Sequence, residues 1–416
     1  MVSNHIFAAL LHTQMKTVDS FDFNGKRALI RVDFNVPLDE SLNVSDDTRI
    51  RAALPTINKI LGDGGSIVLM SHLGRPKDGP EEKFSLNNLS QTISSLLSRP
   101  VKFANNCISK EALTMSSELK PGEVLLLENL RFYEEEKKGD ASFAKALSKH
   151  GDIYVNDAFG AAHRAHASTA IVAQYFQIKL FGKLLAAEIQ NAQKVLDSSQ
   201  HPFTAIIGGA KVSSKIEVIA NLLGKIDNLI IGGGMAYTFI RAQGGEIGNS
   251  LVELDFLDTA NKILSQARDK EVAVYLPIDS VVANQLDNNA ERQILQSDQI
   301  TLGWMGLDIG PEAIKEYGAV IQSSKTILWN GPAGVFELSN FAQGTNSLGL
   351  SIAEATSKGA YSLVGGGDSV AAAKRFGVAD KMSFISTGGG AMLEFLQGRT
   401  LPGVAALSAK TSSILL

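Results

Sequence analysis

Three arginines follow short apolar runs in the first half of the chain: Arg75 in Ser71-His72-Leu73-Gly74-Arg75, Arg131 in Glu128-Asn129-Leu130-Arg131, and Arg164 in Ala162-His163-Arg164-Ala165-His166. A guanidinium offers a planar fork of donors that matches carboxylate or phosphate oxygens, and it stays charged at any biological pH. Any one of them alone would read as a surface ion pair. Three at equivalent places, two with histidines beside them, point to a shared anion, and Arg49 after Asp46-Asp47-Thr48 is placed to join them. The second half carries a different set: Gly208-Gly209-Ala210-Lys211, Gly232-Gly233-Gly234, Asn330-Gly331-Pro332, Gly365-Gly366-Gly367-Asp368-Ser369 and Gly388-Gly389-Gly390. Glycine lets backbone N–H groups approach phosphate oxygens with no side chain between them. One half offers side-chain cations and the other backbone donors.

Within the glycine set, Gly365–Ser369 leads into the helical pattern Val370–Phe376, with Gly377 expected just past its end and Asp368 or Ser369 as the cap. That helix start would face a phosphate, with Asp368 meeting a magnesium ion directly or through water. A tight turn with a capping aspartate is the alternative. Ser214-x-x-Glu217 reads as a capping box, which places Lys211 in the preceding loop and Lys215 in or near the first turn. Lysines are disfavoured at the positive end of a helix, so the pair implies an anionic ligand, unless both are simply solvated. His163 and His166 read as anion donors or as structural. The P-loop, protein-kinase, dinucleotide, zinc-protease and serine-hydrolase motifs are absent. Cys107 is the single cysteine, so there is no intrachain disulfide, and its polar neighbours argue against a catalytic thiol.

The elements that must position these loops are short, β-branched and continuously apolar: Ala28–Phe34, Ile67–Leu73, Val124–Leu130, Ile153–Phe159, Phe203–Gly208, Leu229–Gly233, Val272–Pro277, Thr326–Trp329, Ser362–Gly365 and Ser383–Thr387. Runs without alternation predict strands covered on both faces, as in parallel α/β sheets, where ligands bind beyond the strands' carboxyl ends. Between the halves, Leu185, Ile189, Ala192 and Leu196 form one apolar stripe on a helix over Lys183–Asp197, a hinge or a plain crossover.

With 416 residues, 44% hydrophobic, the chain has material for two domains. A net charge of −4 gives no ground for a nucleic-acid or membrane-surface partner. No apolar run approaches the roughly 20 residues needed to span a bilayer. The opening stretch 1–14 lacks a basic region and reads as a non-secretory extension, with the cytoplasm as the expected compartment.

In chain order, GKRALIRVDFNVP, DDTRIRAALPTI, SHLGRP, LLENLRF, AHRAHAST, GGAKVSSKI, GGGMAYTF, GLDIGP, WNGPAGVFE, GGGDS, STGGGA and LPGVAAL resemble segments of the phosphoglycerate kinase family. The resemblance implies two doubly wound, Rossmann-like α/β domains facing a cleft and joined by a hinge helix. The boundaries are 15–182 for the phosphoglycerate domain, 183–197 for the helix and 198–395 for the nucleotide domain, with 396–416 packing back on the first domain. It implies phosphoglycerate binding by Asp33, Asn35, Arg49, His72, Arg75, Arg131 and Arg164. Lys211, Lys215, Gly306, Asn330, Glu337, Gly365, Gly366, Gly367, Asp368 and Ser369 would surround ATP or ADP and its Mg2+, with Asp368 on the metal. Ser369 stands where the family often has threonine, which keeps the hydroxyl. The implied reaction is reversible phosphoryl transfer between 1,3-bisphosphoglycerate and ADP, giving 3-phosphoglycerate and ATP, by a monomer. The carboxylate that accepts the phosphoryl group is already ionised and needs no general base. Lys211 and Arg49 are then the candidates to neutralise the moving charge. The competing readings are a non-catalytic nucleotide-binding protein on the same fold and a two-Rossmann glycosyltransferase, which leaves the Arg/His set unexplained.

Overall fold

The computed structural model describes residues 15–77, 79–197 and 199–408; the expected extension 1–14 and the last residues, 409–416, lie outside the described residues. The chain divides into two units, one holding 15–189 with 400–408, the other Gln190–Arg399. The division falls inside the helix Lys183–Asp197, whose Leu185, Ile189 and Ala192 are fully buried.

The first unit is built on β1 (Arg27–Arg31), β2 (Ser66–Met70), β3 (Val101–Ala104), β4 (Val124–Leu127), β5 (Ile153–Asn156) and β6 (Lys179–Phe181). All pair in parallel in the order β3-β4-β2-β1-β5-β6. β2 and β4 are buried along their whole length, as their unbroken apolar sequences require. Ile50, Ile57 and Ile60 on the helix Thr48–Gly62 and Leu89 and Ile93 on Asn87–Leu97 pack onto the sheet. Each such side chain contributes about 1.5–3 kcal/mol by leaving water. The helix Pro402–Ser408 belongs to this unit: Gly403 N donates to Ala162 O at 2.8 Å, and Lys179 Nζ to Ala406 O at 3.1 Å.

The second unit contains β7 (Phe203–Ile207), β8 (Asn228–Ile231), β9 (Glu246–Ile247), β10 (Ala273–Tyr275), β11 (Asp279–Ala283), β12 (Arg292–Gln296), β13 (Gln299–Ile300), β14 (Met305–Ile309), β15 (Thr326–Asn330), β16 (Tyr361–Val364) and β17 (Phe384–Ile385). Its main sheet is parallel, in the order β10-β8-β7-β15-β16-β17. An antiparallel sheet β12-β11-β14 and a two-strand pair β13-β9 stand beside it. Neither six-stranded sheet closes into a barrel, so each keeps two edges.

The apolar runs locate the ten long-run strands but overshoot several carboxyl ends. Val32 and Phe34 are fully buried yet lie past the last residue of β1, because the core extends under the loop. Burial therefore outruns the hydrogen-bonded ladder.

Candidate functional site

Because β1, β2, β4 and β5 run the same way, the loops after them leave one end of the first sheet. Asp33 and Asn35 follow β1, His72 and Arg75 follow β2, Arg131 follows β4 and Arg164 follows β5; Arg49 sits in the first turn of Thr48–Gly62. Arg49 Nη1 donates to Asp33 Oδ2 at 3.0 Å. Asn35 Oδ1 accepts from Gly74 N at 2.8 Å, and Arg131 Nη1 donates to the Gly74 carbonyl, so the β1 and β4 loops clasp the β2 loop between them. Asn129 is the fully buried brace beneath, donating to Leu73 O at 2.7 Å and Phe84 O at 2.8 Å and accepting from Arg131 N at 2.9 Å.

These cations press on one another. Burial and the neighbouring Arg164, Arg31 and Arg75 push the Arg131 guanidinium down to about 10, against the pull of Asp33. Burial, then Arg31, Arg131, Arg164 and Arg49, hold His72 well below its ordinary range. His166 is lowered to about 4 by burial and then by Arg31, Arg164 and Arg131. All seven residues expected on the phosphoglycerate side are thus joined by hydrogen bonds or by charge at one place. Lowered pKa values on bases mean that positive charge here is under strain, which an incoming anion relieves. Arg31 was not among the sequence candidates. It closes β1, is 1% exposed, and donates through Nη2 to His72 Nδ1 at 3.1 Å. A charged residue inside an apolar strand run was its signal.

In the second unit the loops after β7, β15 and β16 meet. Gly208 and Gly331 touch backbone to backbone: a Cβ on Gly331 would lie 2.1 Å from Gly208 O. Lys215 Nζ donates to Asn330 Oδ1, Asn330 Nδ2 donates to Gly365 O at 2.9 Å, and Ser369 Oγ accepts from Gly331 N at 2.5 Å. A pocket of about 300 Å³ is lined by Lys211, Lys215, Gly366, Gly367, Asp368 and Ser369. Burial lowers the Lys215 ammonium, and Asp368 opposes that shift. An adjoining pocket of about 420 Å³ shares Gly209, Ala210 and Asp368 with the first and is walled by Tyr237, Leu251, Leu307 and Val335, with Gly306 and Glu337 also on its lining. Those four wall residues escaped sequence reading. Tyr237, Leu307 and Val335 lie within GGGMAYTF, GLDIGP and WNGPAGVFE, but as apolar or aromatic residues there they gave no sign of facing a common pocket, and Leu251 lies outside all the quoted segments.

Two sequence expectations need correction. The helix after the triple glycine is Gly367–Arg375, three residues earlier than read, and its cap is Gly366 at φ 92°. Asp368 and Ser369 therefore lie in its first turn rather than at the cap; Gly377, at φ 65°, follows its end as expected. The capping box does not form: the helix is Ile216–Leu222, with Lys215 in the cap position, and Ser214 Oγ donates to Lys211 O at 2.9 Å. The turn through 212–215 takes up the residues that the box would have used. Lys211 is exposed on the near side of that turn.

Among the described residues, no group of three or more His, Cys, Asp or Glu could hold a metal unaided, and no helix is long and apolar enough to cross a membrane.

A family model described as phosphoglycerate kinase matches residues 18–399. The chain is 52% identical to a phosphoglycerate kinase of Porphyromonas gingivalis, covering 94% of this chain and 99% of that protein. It is 51% identical to a cytosolic phosphoglycerate kinase of Nicotiana tabacum, covering 93% and 96%. The solved structure of phosphoglycerate kinase from Coxiella burnetii is similar with a TM-score of 0.87 at 40% identity, covering 95% of this chain and 99% of that one. With two parallel six-stranded sheets, a basic loop cluster on one and glycine-lined pockets on the other, the chain belongs to the phosphoglycerate kinase family, phosphotransferases whose acceptor is a carboxyl group.

Proposed function

We propose that Asp33, Asn35, Arg49, His72, Arg75, Arg131 and Arg164 bind 3-phosphoglycerate or 1,3-bisphosphoglycerate, and that the paired pockets of the second unit bind ATP or ADP. The observation that carries this reading is the convergence of four arginines and His72 at one end of the first sheet, tied together through Asp33, Asn35 and the Gly74 loop. There, burial and then the neighbouring guanidinium groups lower Arg131 and His72. Asp33 and Glu136 offset part of that charge, and a polyanion offsets the rest. On the nucleotide side, the apolar walls of the larger pocket suit a base, Glu337 at its exposed margin suits ribose hydroxyls, and the glycine loops with Lys211 and Lys215 suit phosphates.

Magnesium fits this second site. Mg2+ is ordinarily held by one or two carboxylates together with substrate phosphates. Asp368, on the lining of both pockets, is the carboxylate in place for it, and the remaining ligands come with the nucleotide. When bound, the ion neutralises charge on the phosphate oxygens.

The reaction asks little covalent chemistry of the side chains. The 3-phosphoglycerate carboxylate is ionised and attacks the γ-phosphorus of ATP without a general base; the bond to the β–γ bridging oxygen breaks, ADP leaves with that electron pair, and 1,3-bisphosphoglycerate is formed. In the family reaction read here, Arg49 and Lys211 stabilise the charge in passage, Lys215 steadies the nucleotide phosphates, and Ser369 with Asn330 fixes the loops that present N–H groups. Water must be kept from the transferring group, so substrates are expected to drive closure about the helix Lys183–Asp197, in a monomer of the cytoplasm. A coupled assay of ATP consumption tests the activity. The expected result is turnover that requires both 3-phosphoglycerate and Mg2+; absence of turnover with both present would refute it.

A further inference from the structure

We propose that Glu136, Ser168 and Arg31 are a relay of positioning residues that holds His72 as a neutral imidazole with its single proton on Nε2. The relay's functional meaning rests on the reading of the Arg/His set as the phosphoglycerate site; its geometry does not.

The proton inventory fixes the direction. Arg31 only donates. Its Nε donates to Ser168 Oγ at 2.9 Å, its Nη1 to Val32 O, and its Nη2 contacts His72 Nδ1 at 3.1 Å. His72 Nδ1 must therefore accept, and the ring's proton stands on Nε2. Ser168 Oγ, already accepting from Arg31, sends its hydrogen to Glu136 Oε1 at 2.6 Å, while Ser168 N donates to Glu136 Oε2 at 2.9 Å. Tyr154 Oη donates to Ser168 O at 2.8 Å and pins the backbone of that turn. Glu136 and Arg31 are each 1% exposed, Ser168 is fully buried and His72 is 5% exposed, so water does not compete at these bonds.

The charges facing His72 point the same way. Arg31, Arg131, Arg164 and Arg49 all disfavour an imidazolium. Asp33 is the opposing carboxylate, but its Oδ1 is 3.9 Å from Nδ1, beyond a hydrogen bond. Protonating His72 would set an N–H against the Arg31 N–H. Glu136, which also lies 3.7 Å from His166 Nδ1, anchors the far end. Burial raises its carboxyl, while Arg31 and both Ser168 bonds pull against that. Through this chain, a buried carboxylate sets the donor that His72 presents to an anion, and the positive charge of the site is left to guanidinium groups.

The test uses the full chain with ¹⁵N-labelled histidine, following the His72 ring nitrogens by NMR from about pH 5.5 to 8, the range in which an ordinary histidine titrates. The expected result is Nε2 protonated and Nδ1 bare throughout. A His72 protonated on Nδ1, or on both nitrogens, overturns the proposal with no variant needed. Ser168→Ala removes the acceptor of Arg31 Nε; His72 should then show both tautomers or titrate. Its affinity for 3-phosphoglycerate should fall about tenfold, with Mg-ADP affinity unchanged. An unaltered His72 pattern in Ser168→Ala overturns the relay. Glu136→Gln, which keeps the side-chain volume and removes the charge, should move His72 in the same direction, and carries the test if Ser168→Ala does not fold. Titrating wild type with 3-phosphoglycerate separates the two readings: His72 resonances that never respond would refute the site assignment and leave the tautomer result standing.

Discussion

Gly306→Ala probes how the nucleotide pocket is walled. A Cβ at Gly306 would lie 1.7 Å from Tyr237 Oη and 2.1 Å from its Cζ. Tyr237 is 4% exposed, and its hydroxyl donates to Ser280 Oγ at 2.8 Å, which in turn contacts Ser297 Oγ at 2.7 Å. Gly306 is itself fixed, since it pairs with Val282 across the β11–β14 ladder and its N–H donates to Ser250 Oγ at 2.9 Å. Neither partner yields cheaply. Overpacking costs about 1–3 kcal/mol and a lost hydroxyl bond about 0.5–1.5, so a destabilisation of about 2–4 kcal/mol is expected. Because Tyr237 lines the same pocket, ADP affinity should fall with stability while 3-phosphoglycerate affinity holds. Denaturant unfolding and calorimetry on the variant read both. Stability and ADP affinity within error of wild type would refute the claim that Tyr237 is a rigid wall.

Three further outcomes are expected. Lys211→Ala should lower kcat strongly with a modest change in Mg-nucleotide affinity, since an interaction made mainly in the transition state alters the rate constant; steady-state kinetics with nucleotide titrations checks this, and near-normal kcat would leave Arg49 and Lys215 as the charge carriers. Asp368→Ala should weaken nucleotide binding in the presence of Mg2+ far more than in its absence, read by paired titrations. Burial raises the Asp308 carboxyl to about 7, against bonds from Gly344 N and Ile309 N, so its stabilising contribution is fully present below the unfolded value of 3.8 and is lost as pH rises through about 7. Asp308→Asn should therefore gain stability relative to wild type as pH rises between these values, measured by unfolding at several pH values.

The sequence made the parallel sheets visible because strands such as Ser66–Met70 and Phe203–Ile207 are buried on both faces and leave unbroken apolar runs. The helix Lys183–Asp197 was legible from its stripe. β12 was not, since Arg292–Gln296 is largely exposed and one partly buried residue, Leu295, packing against a small cluster leaves no period to read. β9 and β13 are two residues each, too short for any period. The start of Gly367–Arg375 was misplaced because glycine is a poor helix former, yet here only a glycine cap at φ 92° lets the chain turn from β16 into the helix. At the sites, charged and glycine motifs were readable. The apolar walls around Tyr237 and the buried Glu136–Ser168–Arg31 line were not, because tertiary contact alone assembles them.

The claim that two separate anion sites divide the substrates between them is tested most directly by calorimetry on Arg75→Ala. Arg75 is exposed among the basic loops, and its charge bears on Arg131. Losing one charge-assisted contact, worth about 1.5–3 kcal/mol, should weaken 3-phosphoglycerate binding roughly ten- to a hundredfold. Mg-ADP affinity, measured alone, should stay at the wild-type value. An equal fall in both affinities would contradict the division.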